Sequence, residues 1–133
     1  MTALFADTYY FIALLSPGDE AHRKAVAFTQ QFTERLLTTA WVITEIADGL
    51  KEARARERFV QFYDRLRVRD DVTIVPCSDE LFGQGFELFR RRSDKEWSLT
   101  DCISFVVMQR ENVTEALTAD HHFEQAGFVA LLK

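Results

Sequence analysis

Short apolar blocks and longer amphipathic segments alternate along the chain, and they predict five strands and seven helices. The strands are expected where three to five apolar residues are bounded by polar or turn-forming residues, at 4–6, 36–38, 72–75, 115–119 and 128–132. Apolar residues at helical spacing predict helices over 9–15, 19–32, 41–51 and 54–66. Three more helices are predicted to begin at Ser78, at the capping-box sequence Ser98-Leu99-Thr100-Asp101 and at Asp120.

The helical spacing also predicts which side chains face the core. The helix over 54–66 is expected to bury Phe59, Phe62, Tyr63 and Leu66. The helix beginning at Ser78 is expected to bury Leu81, Phe82, Phe86 and Phe89, with Gly83 and Gly85 weakening it locally. Gly127 is expected to end the last helix as its C-cap.

Strands that alternate with helices indicate a parallel sheet covered by helices on both faces. The chain has 133 residues, of which 47% are hydrophobic and twelve are Phe, enough for one well-filled core. We therefore predict an α/β fold, a three-layer α/β/α sandwich with about five short parallel strands, in a single domain over 1–133.

Cysteine usage and the N-terminal segment bear on the compartment. Cys77 and Cys102 lie in apolar surroundings without metal-ligand spacing, so both are predicted to be buried free thiols in a reducing environment. The segment before Asp7 has no basic region and no small-residue cleavage site, unlike a signal peptide. The longest uncharged stretch elsewhere, 36–44, is too short to span a membrane. We expect a soluble, cytoplasmic protein with no membrane partner.

The net charge of −5 is unevenly distributed. Residues 51–69 carry seven basic residues against three acidic ones, a local balance of +4, and a second basic cluster comprises residues 90–92 with Lys95. A basic stripe can guide a phosphate backbone, and a solvated helix face gives the same pattern. Composition alone therefore does not establish nucleic-acid binding.

Four acidic residues are candidates for one site at the carboxyl ends of the strands, where open α/β sheets bind ligands. Asp7 follows the first predicted strand and Asp120 the fourth, while Glu45 lies one turn into the helix after the second strand. Asp101 lies in the first turn of a helix that could begin near the same edge. Individually, each acid is better explained as a cap, a loop residue or a surface residue.

Together, the four acids predict a metal-dependent hydrolase. A carboxylate cluster repels itself unless cations neutralise it, and Mg²⁺ or Mn²⁺ prefers oxygen ligands. A metal ion held in this way activates water and stabilises a leaving oxygen, which fits phosphodiester hydrolysis.

Four segments follow one another along the chain: Leu4-Phe5-Ala6-Asp7-Thr8, Thr44-Glu45-Ile46, Ser98-Leu99-Thr100-Asp101-Cys102, and Leu117-Thr118-Ala119-Asp120-His121-His122-Phe123 with Ala126-Gly127-Phe128. In these segments and in their order, the chain resembles the PIN-domain family, in particular the ribonuclease toxins of VapBC-type toxin–antitoxin pairs.

The resemblance implies an endoribonuclease that uses Mg²⁺ or Mn²⁺. It implies that Asp7, Asp101 and Asp120 hold the metal ion and that Glu45 helps to position the attacking water, with Thr118 or Thr8 supplying a supporting hydroxyl. It further implies an RNA substrate, a small antitoxin as partner and a homodimer.

His122 departs from the family pattern, since many PIN domains have an acid at this place. It puts a second tightly bound metal ion in doubt, and we expect His122 to cap the last helix or, alternatively, to contact phosphate. His121 and His22 have no recognisable partner in the sequence, which favours surface or packing roles. Tyr9, Tyr10 and Phe11 are more typical of a core than of base stacking.

Two other functions remain open at this point. The first is a PIN-like module that binds RNA or protein without catalysis. The second is a receiver-like or phosphatase-like domain with a phosphorylated Asp7, which lacks a second Asp two residues later because Tyr9 stands there.

Overall fold

The computed structural model describes residues 2–133, in which one or two helices separate each strand from the next. The strands are β1 (Ala3–Ala6), β2 (Arg35–Thr39), β3 (Val72–Val75), β4 (Glu115–Leu117) and β5 (Val129–Ala130). The helices are α1 (Thr8–Leu15), α2 (His22–Gln31), α3 (Ala40–Gly49), α4 (Ala53–Leu66), α5 (Asp79–Arg91), α6 (Leu99–Arg110) and α7 (His121–Gln125). The predicted elements are all present, with ends that differ by a few residues.

The five strands form one parallel sheet in the order β3-β2-β1-β4-β5. Parallel sheets bury both faces, and the central strand β1 accordingly has Leu4, Phe5 and Ala6 almost fully buried. The predicted three-layer α/β/α architecture is confirmed. Because β1 and β4 are neighbours, the chain segments that follow them emerge side by side at one edge.

Local sequence explains where several helices begin and end. Thr39 and Ser78 cap α3 and α5 by accepting hydrogen bonds from the backbone N–H groups of Val42 and Leu81. At the end of α7, Gly127 has a φ of +96°, and the N–H of Phe128 donates to the carbonyl of Phe123 at 3.0 Å. This Schellman-type ending needs a glycine, as the sequence predicted.

A cluster of aromatic side chains attaches α7 to α6 and to the sheet. Phe123 is fully buried, with ring centroids 6.2 Å from Phe5 and 5.0 Å from Phe105. Trp97 and Phe128 extend the cluster through Phe105, with ring centroids 5.1 Å and 5.6 Å from it. Edge-to-face contacts of this kind fix the position of α7, whose N-cap is the candidate acid Asp120.

The prediction for α5 is wrong in part. Leu81 is buried, but Phe82, Phe86 and Phe89 are 46%, 38% and 43% exposed. The buried face of α5 is instead centred on Leu81 and Gly85. A Cβ atom at Gly85 would lie 2.3 Å from Cγ1 of Ile103, so glycine permits the close approach of α5 to α6.

The cysteine prediction is also half wrong. Cys102 is buried in α6, where burial raises the pKa of its thiol to about 11, as expected for an unreactive core residue. Cys77 is exposed, because it follows the end of β3 and lies outside the core.

Among the helices described over residues 2–133, none has the length and apolar character that crossing a membrane requires.

Candidate active site

Asp7 lies at the carboxyl end of β1 and is only 6% exposed. The hydroxyl of Thr118, which follows β4, donates to Oδ2 of Asp7 at 2.9 Å. The same hydroxyl accepts a hydrogen bond from the backbone N–H of Asp120 at 3.0 Å. Thr118 therefore connects two of the four predicted acids through one hydroxyl group.

Glu45 reaches the same edge from α3. The hydroxyl of Thr8, the residue after Asp7, donates to Oε1 of Glu45 at 2.5 Å. The side chain of Glu45 is half-buried, and the neighbouring Val42 and Ile46 anchor α3 in the core. Both candidate hydroxyls thus contact acids of the cluster, Thr118 with Asp7 and Thr8 with Glu45.

Asp101 has a capping role and also belongs to the cluster. It occupies the third position of α6, where Ser98 accepts from its N–H at 3.0 Å and Oδ2 of Asp101 accepts from the N–H of Ser98 at 3.1 Å. The predicted capping box is therefore complete. The same Oδ2 lies 3.2 Å from Nδ1 of His122, so α6 and α7 meet at this carboxylate.

Asp120 is the N-cap of α7. Its Oδ1 accepts from the backbone N–H of His122 at 2.9 Å and lies 3.4 Å from Nδ1 of that residue. The cap of α7 is thus Asp120, and the expected cap role of His122 is wrong. The imidazole of His122 lies instead between the carboxylates of Asp101 and Asp120.

The electrostatics link the acids into one group. Burial raises the pKa of Asp7 from 3.8 to about 7, and the charges of Asp101 and Glu45 act in the same direction, while the Thr118 hydrogen bond opposes them. Burial also raises the pKa of Asp101, and the charge of Asp120 adds to this effect. Each predicted acid therefore interacts with at least one other, as expected for a cluster that a cation would stabilise.

The donor set fits a hard divalent cation. Asp7 is a nearly buried carboxylate whose partner is a neutral hydroxyl, and the groups around it are further carboxylates. Oxygen-rich sites of this type suit Mg²⁺ or Mn²⁺.

The other histidines have partners that sequence reasoning missed. His22 Nδ1 lies 2.8 Å from the carbonyl oxygen of Ala13, which gives it a packing role between α1 and α2. His121 lies next to the cluster, with Nδ1 3.7 Å from Oδ1 of Asp120. The signal available in the sequence was the pair His121-His122 directly after a predicted strand-end acid.

The aromatic run after Asp7 mostly serves the core. Tyr10 and Phe11 are buried, and the hydroxyl of Tyr10 is 2.5 Å from that of Thr29. Tyr9 is 37% exposed, so base stacking stays a prediction for this residue alone.

The seven basic residues of the stripe over 51–69 all have exposed side chains. Arg67 and Arg69 are each within 4 Å of an acid, Asp64 and Asp71 respectively. The other five lie on or next to α4 and contribute an exposed positive surface: Lys51, Arg54, Arg56, Arg58 and Arg65.

Comparison with known proteins agrees with this arrangement. Residues 4–129 match the PIN domain family. The 23S rRNA-specific endonuclease VapC20 of Mycobacterium tuberculosis is 28% identical over 126 residues, which cover 95% of each chain.

Two solved structures have a similar fold over nearly the whole chain. The crystal structure of M. tuberculosis VapC20, described as a sarcin–ricin loop cleaving toxin, superposes with a TM-score of 0.87 at 26% identity, covering 96% of this chain and 98% of that one. VapBC2 from Rickettsia felis, solved with a fragment of promoter DNA, has a TM-score of 0.67 at 12% identity, with 97% of each chain covered, and supports the fold alone.

Proposed function

The chain belongs to the PIN domain family, and we propose that it is a metal-dependent endoribonuclease, the toxin of a toxin–antitoxin pair. The observation that carries this proposal is the buried Asp7, which interacts with further carboxylates at the carboxyl edge of the sheet. The likeness to VapC20 over nearly the whole chain supports RNA as the substrate. It also disfavours a receiver-like or phosphatase-like domain in which Asp7 is phosphorylated.

In the proposed mechanism, Asp7, Asp101 and Asp120 would hold Mg²⁺ or Mn²⁺. When bound, such an ion activates water for attack on phosphorus and stabilises charge on the leaving oxygen. Oε1 of Glu45 accepts a hydrogen bond from the hydroxyl of Thr8. The other carboxylate oxygen of Glu45 is then available to accept a hydrogen bond and a proton from the attacking water. The hydroxyl of Thr118 orients the carboxylate of Asp7 by donating to Oδ2.

The first experiment is cleavage of a mixed pool of RNAs, with a sarcin–ricin loop RNA as a separate substrate. It is run with Mg²⁺, with Mn²⁺ and with EDTA, beside the double variant Asp7→Asn/Asp101→Asn. The double variant Asp48→Asn/Asp70→Asn is the matched control, since it removes two negative charges from exposed positions. Circular dichroism checks that both variants fold.

We expect cleavage that requires metal, disappears in Asp7→Asn/Asp101→Asn and persists in the control. Absence of cleavage with either metal, or equal cleavage by both double variants, would refute the nuclease proposal. It would favour a PIN-like module that binds RNA or protein without cutting.

We also propose that the basic stripe lines the path of the RNA. Arg54, Arg56 and Arg58 extend from α4 into solvent, where they can neutralise phosphates and release counterions. Charge reversal at these three positions should weaken RNA binding and reduce its salt dependence. Unchanged binding would assign these residues to a solvated helix face.

We propose a homodimer that pairs through α5. The exposed Phe82, Phe86 and Phe89 form a continuous stripe with ring centroids 6.1 Å apart. The first turn of α5 is acidic and its last turn basic, so two antiparallel copies would match opposite charges at both ends.

Sedimentation should show that Phe86→Glu is monomeric and that Val68→Glu, at a 73% exposed position, is dimeric like the parent. Equal masses for all three proteins would contradict this interface.

An antitoxin partner is the remaining part of the proposal. Expression of the chain in a bacterial host should arrest growth, and co-expression of a small protein encoded beside it should restore growth. Growth arrest that persists in Asp7→Asn/Asp101→Asn would show that the toxicity does not come from the carboxylate site.

A further inference from the structure

Three donor side chains converge at the start of α7, on the rim of the carboxylate cluster. One ligand atom each from Asp120, His121 and His122 lies within 4.8 Å of the others. Oδ1 of Asp120 is 3.4 Å from Nδ1 of His122 and 3.7 Å from Nδ1 of His121. The two imidazole rings are 4.5 Å apart between centroids.

The two distances from Oδ1 of Asp120 to the histidine nitrogens, 3.4 and 3.7 Å, are close to those between neighbouring ligands of a small four-coordinate ion. Bonds of about 2.0–2.2 Å to histidine nitrogen and carboxylate oxygen place adjacent donors roughly 3.3–3.6 Å apart. From this geometry we propose that Asp120, His121 and His122 form a binding site for a borderline transition-metal ion, of the class of Zn²⁺ and Co²⁺.

The donor chemistry separates this site from that of the hard cation. Mg²⁺ binds oxygen and takes up nitrogen ligands poorly, whereas Zn²⁺ and Co²⁺ favour imidazole. Two of the three donors here are imidazole nitrogens. The site over Asp7 and Asp101, in contrast, is built from carboxylates.

The site is accessible from solvent. The side chains of His121 and Asp120 are 63% and 32% exposed, and that of His122 is 20% exposed. Three protein ligands leave a fourth position for water, as in open zinc sites. An ion can therefore enter without a large rearrangement of α7.

Occupation of this site would affect the carboxylate cluster, a consequence that rests on the proposed function. Asp120 belongs to both sites, so a transition-metal ion there removes one ligand from the hard cation. Nδ1 of His122 also contacts Oδ2 of Asp101, a contact that binding at Nδ1 disrupts. We therefore expect Zn²⁺ to inhibit cleavage that Mg²⁺ supports.

The direct test is titration of the chelator-treated protein with Co²⁺ alone, followed by its visible absorption. Four-coordinate Co²⁺ gives intense bands, and added Zn²⁺ should abolish them by displacement. His121→Ala and His122→Asn should each weaken Co²⁺ binding by about tenfold or more. Asparagine removes the imidazole but keeps an N–H group that can donate to Asp101. Weaker Co²⁺ binding by His122→Asn would therefore come from the missing imidazole and not from a displaced Asp101.

His22→Ala is the matched control, because His22 is the third histidine of the chain and contacts the carbonyl of Ala13 instead. It should bind Co²⁺ like the parent. Equal binding by His121→Ala and the parent, or equal losses in all three variants, would overturn the proposed site.

The same variants separate this proposal from the proposed nuclease. In Mg²⁺, Zn²⁺ should inhibit RNA cleavage by the parent and by His22→Ala, and inhibition of His121→Ala should need about tenfold more Zn²⁺. If the parent cuts no RNA under any condition, the proposed function fails and the cobalt spectra alone decide on the site.

Discussion

Replacing Asp7 by asparagine should stabilise the metal-free protein at alkaline pH while it abolishes metal binding. Burial raises the pKa of Asp7 to about 7, whereas the unfolded chain titrates at the ordinary value of 3.8. Between these values the folded protein keeps a proton that the unfolded chain has lost, so stability falls as the pH rises. Asparagine is neutral throughout and can still accept the hydrogen bond from Thr118.

The size of this loss of stability follows from the interval between the unfolded-state and folded-state pKa values of Asp7. This interval is about three pH units, and each unit lowers the free energy of unfolding by about 1.4 kcal/mol, so the loss reaches about 4 kcal/mol once Asp7 is ionised in the folded state. Below the unfolded pKa the penalty disappears, because both states then hold the proton. The two proteins should therefore have similar free energies of unfolding near pH 4, and asparagine should be favoured above about pH 8.

Urea denaturation in EDTA at several pH values measures this difference directly. Asp94→Asn serves as the control, because its hydrogen bonds from Arg92 lower the pKa of Asp94 to about 2 and its removal should not stabilise the protein. Added Mg²⁺ should then stabilise the parent at alkaline pH and leave Asp7→Asn unchanged, because the variant lacks the Asp7 carboxylate, the most buried of the three proposed ligands. A difference between parent and Asp7→Asn that is independent of pH would refute the reasoning.

Two further predictions concern packing and hydrogen bonding. Gly85→Ala should lower the free energy of unfolding by about 1–3 kcal/mol, because its Cβ would lie 2.3 Å from Cγ1 of Ile103. Gly83→Ala should raise the free energy of unfolding by up to about 1 kcal/mol, because among the described residues its Cβ would meet no heavy atom within 4 Å beyond its chain neighbours and the nearby backbone of its own helix. Urea titrations compare the two variants. If Gly85→Ala stabilised the protein as much as Gly83→Ala, α5 and α6 would pack less closely in solution than in the structure. Thr118→Val should cost about 1–3 kcal/mol and weaken Mn²⁺ binding, because it removes the donor to Asp7 and the acceptor for the N–H of Asp120. Thr118→Ser, which keeps the hydroxyl, should restore both quantities, and calorimetry that finds no restoration would contradict the role of the hydrogen bonds.

Features that depend on a few neighbouring residues were determined by the sequence alone. The Ser98–Asp101 capping box and the Gly127 ending of α7 are local hydrogen-bond patterns, so their residue types specify them. The order of strands and helices followed from apolar periodicity, and parallel pairing followed from their alternation. Since parallel strands end at one edge, even the position of Asp7 could be predicted.

What only the tertiary structure decided depends on contacts between distant segments. An amphipathic pattern shows that α5 has an apolar face, but it does not show that Gly85 packs against Ile103 and leaves Phe86 exposed. The hydrogen bond from Thr118 to Asp7 joins residues 111 positions apart, and the contact of His122 with Asp101 spans 21. The burial that raises the pKa of Asp7 likewise comes from the packed core, because desolvation is a property of the surroundings of a residue and not of its neighbours in sequence.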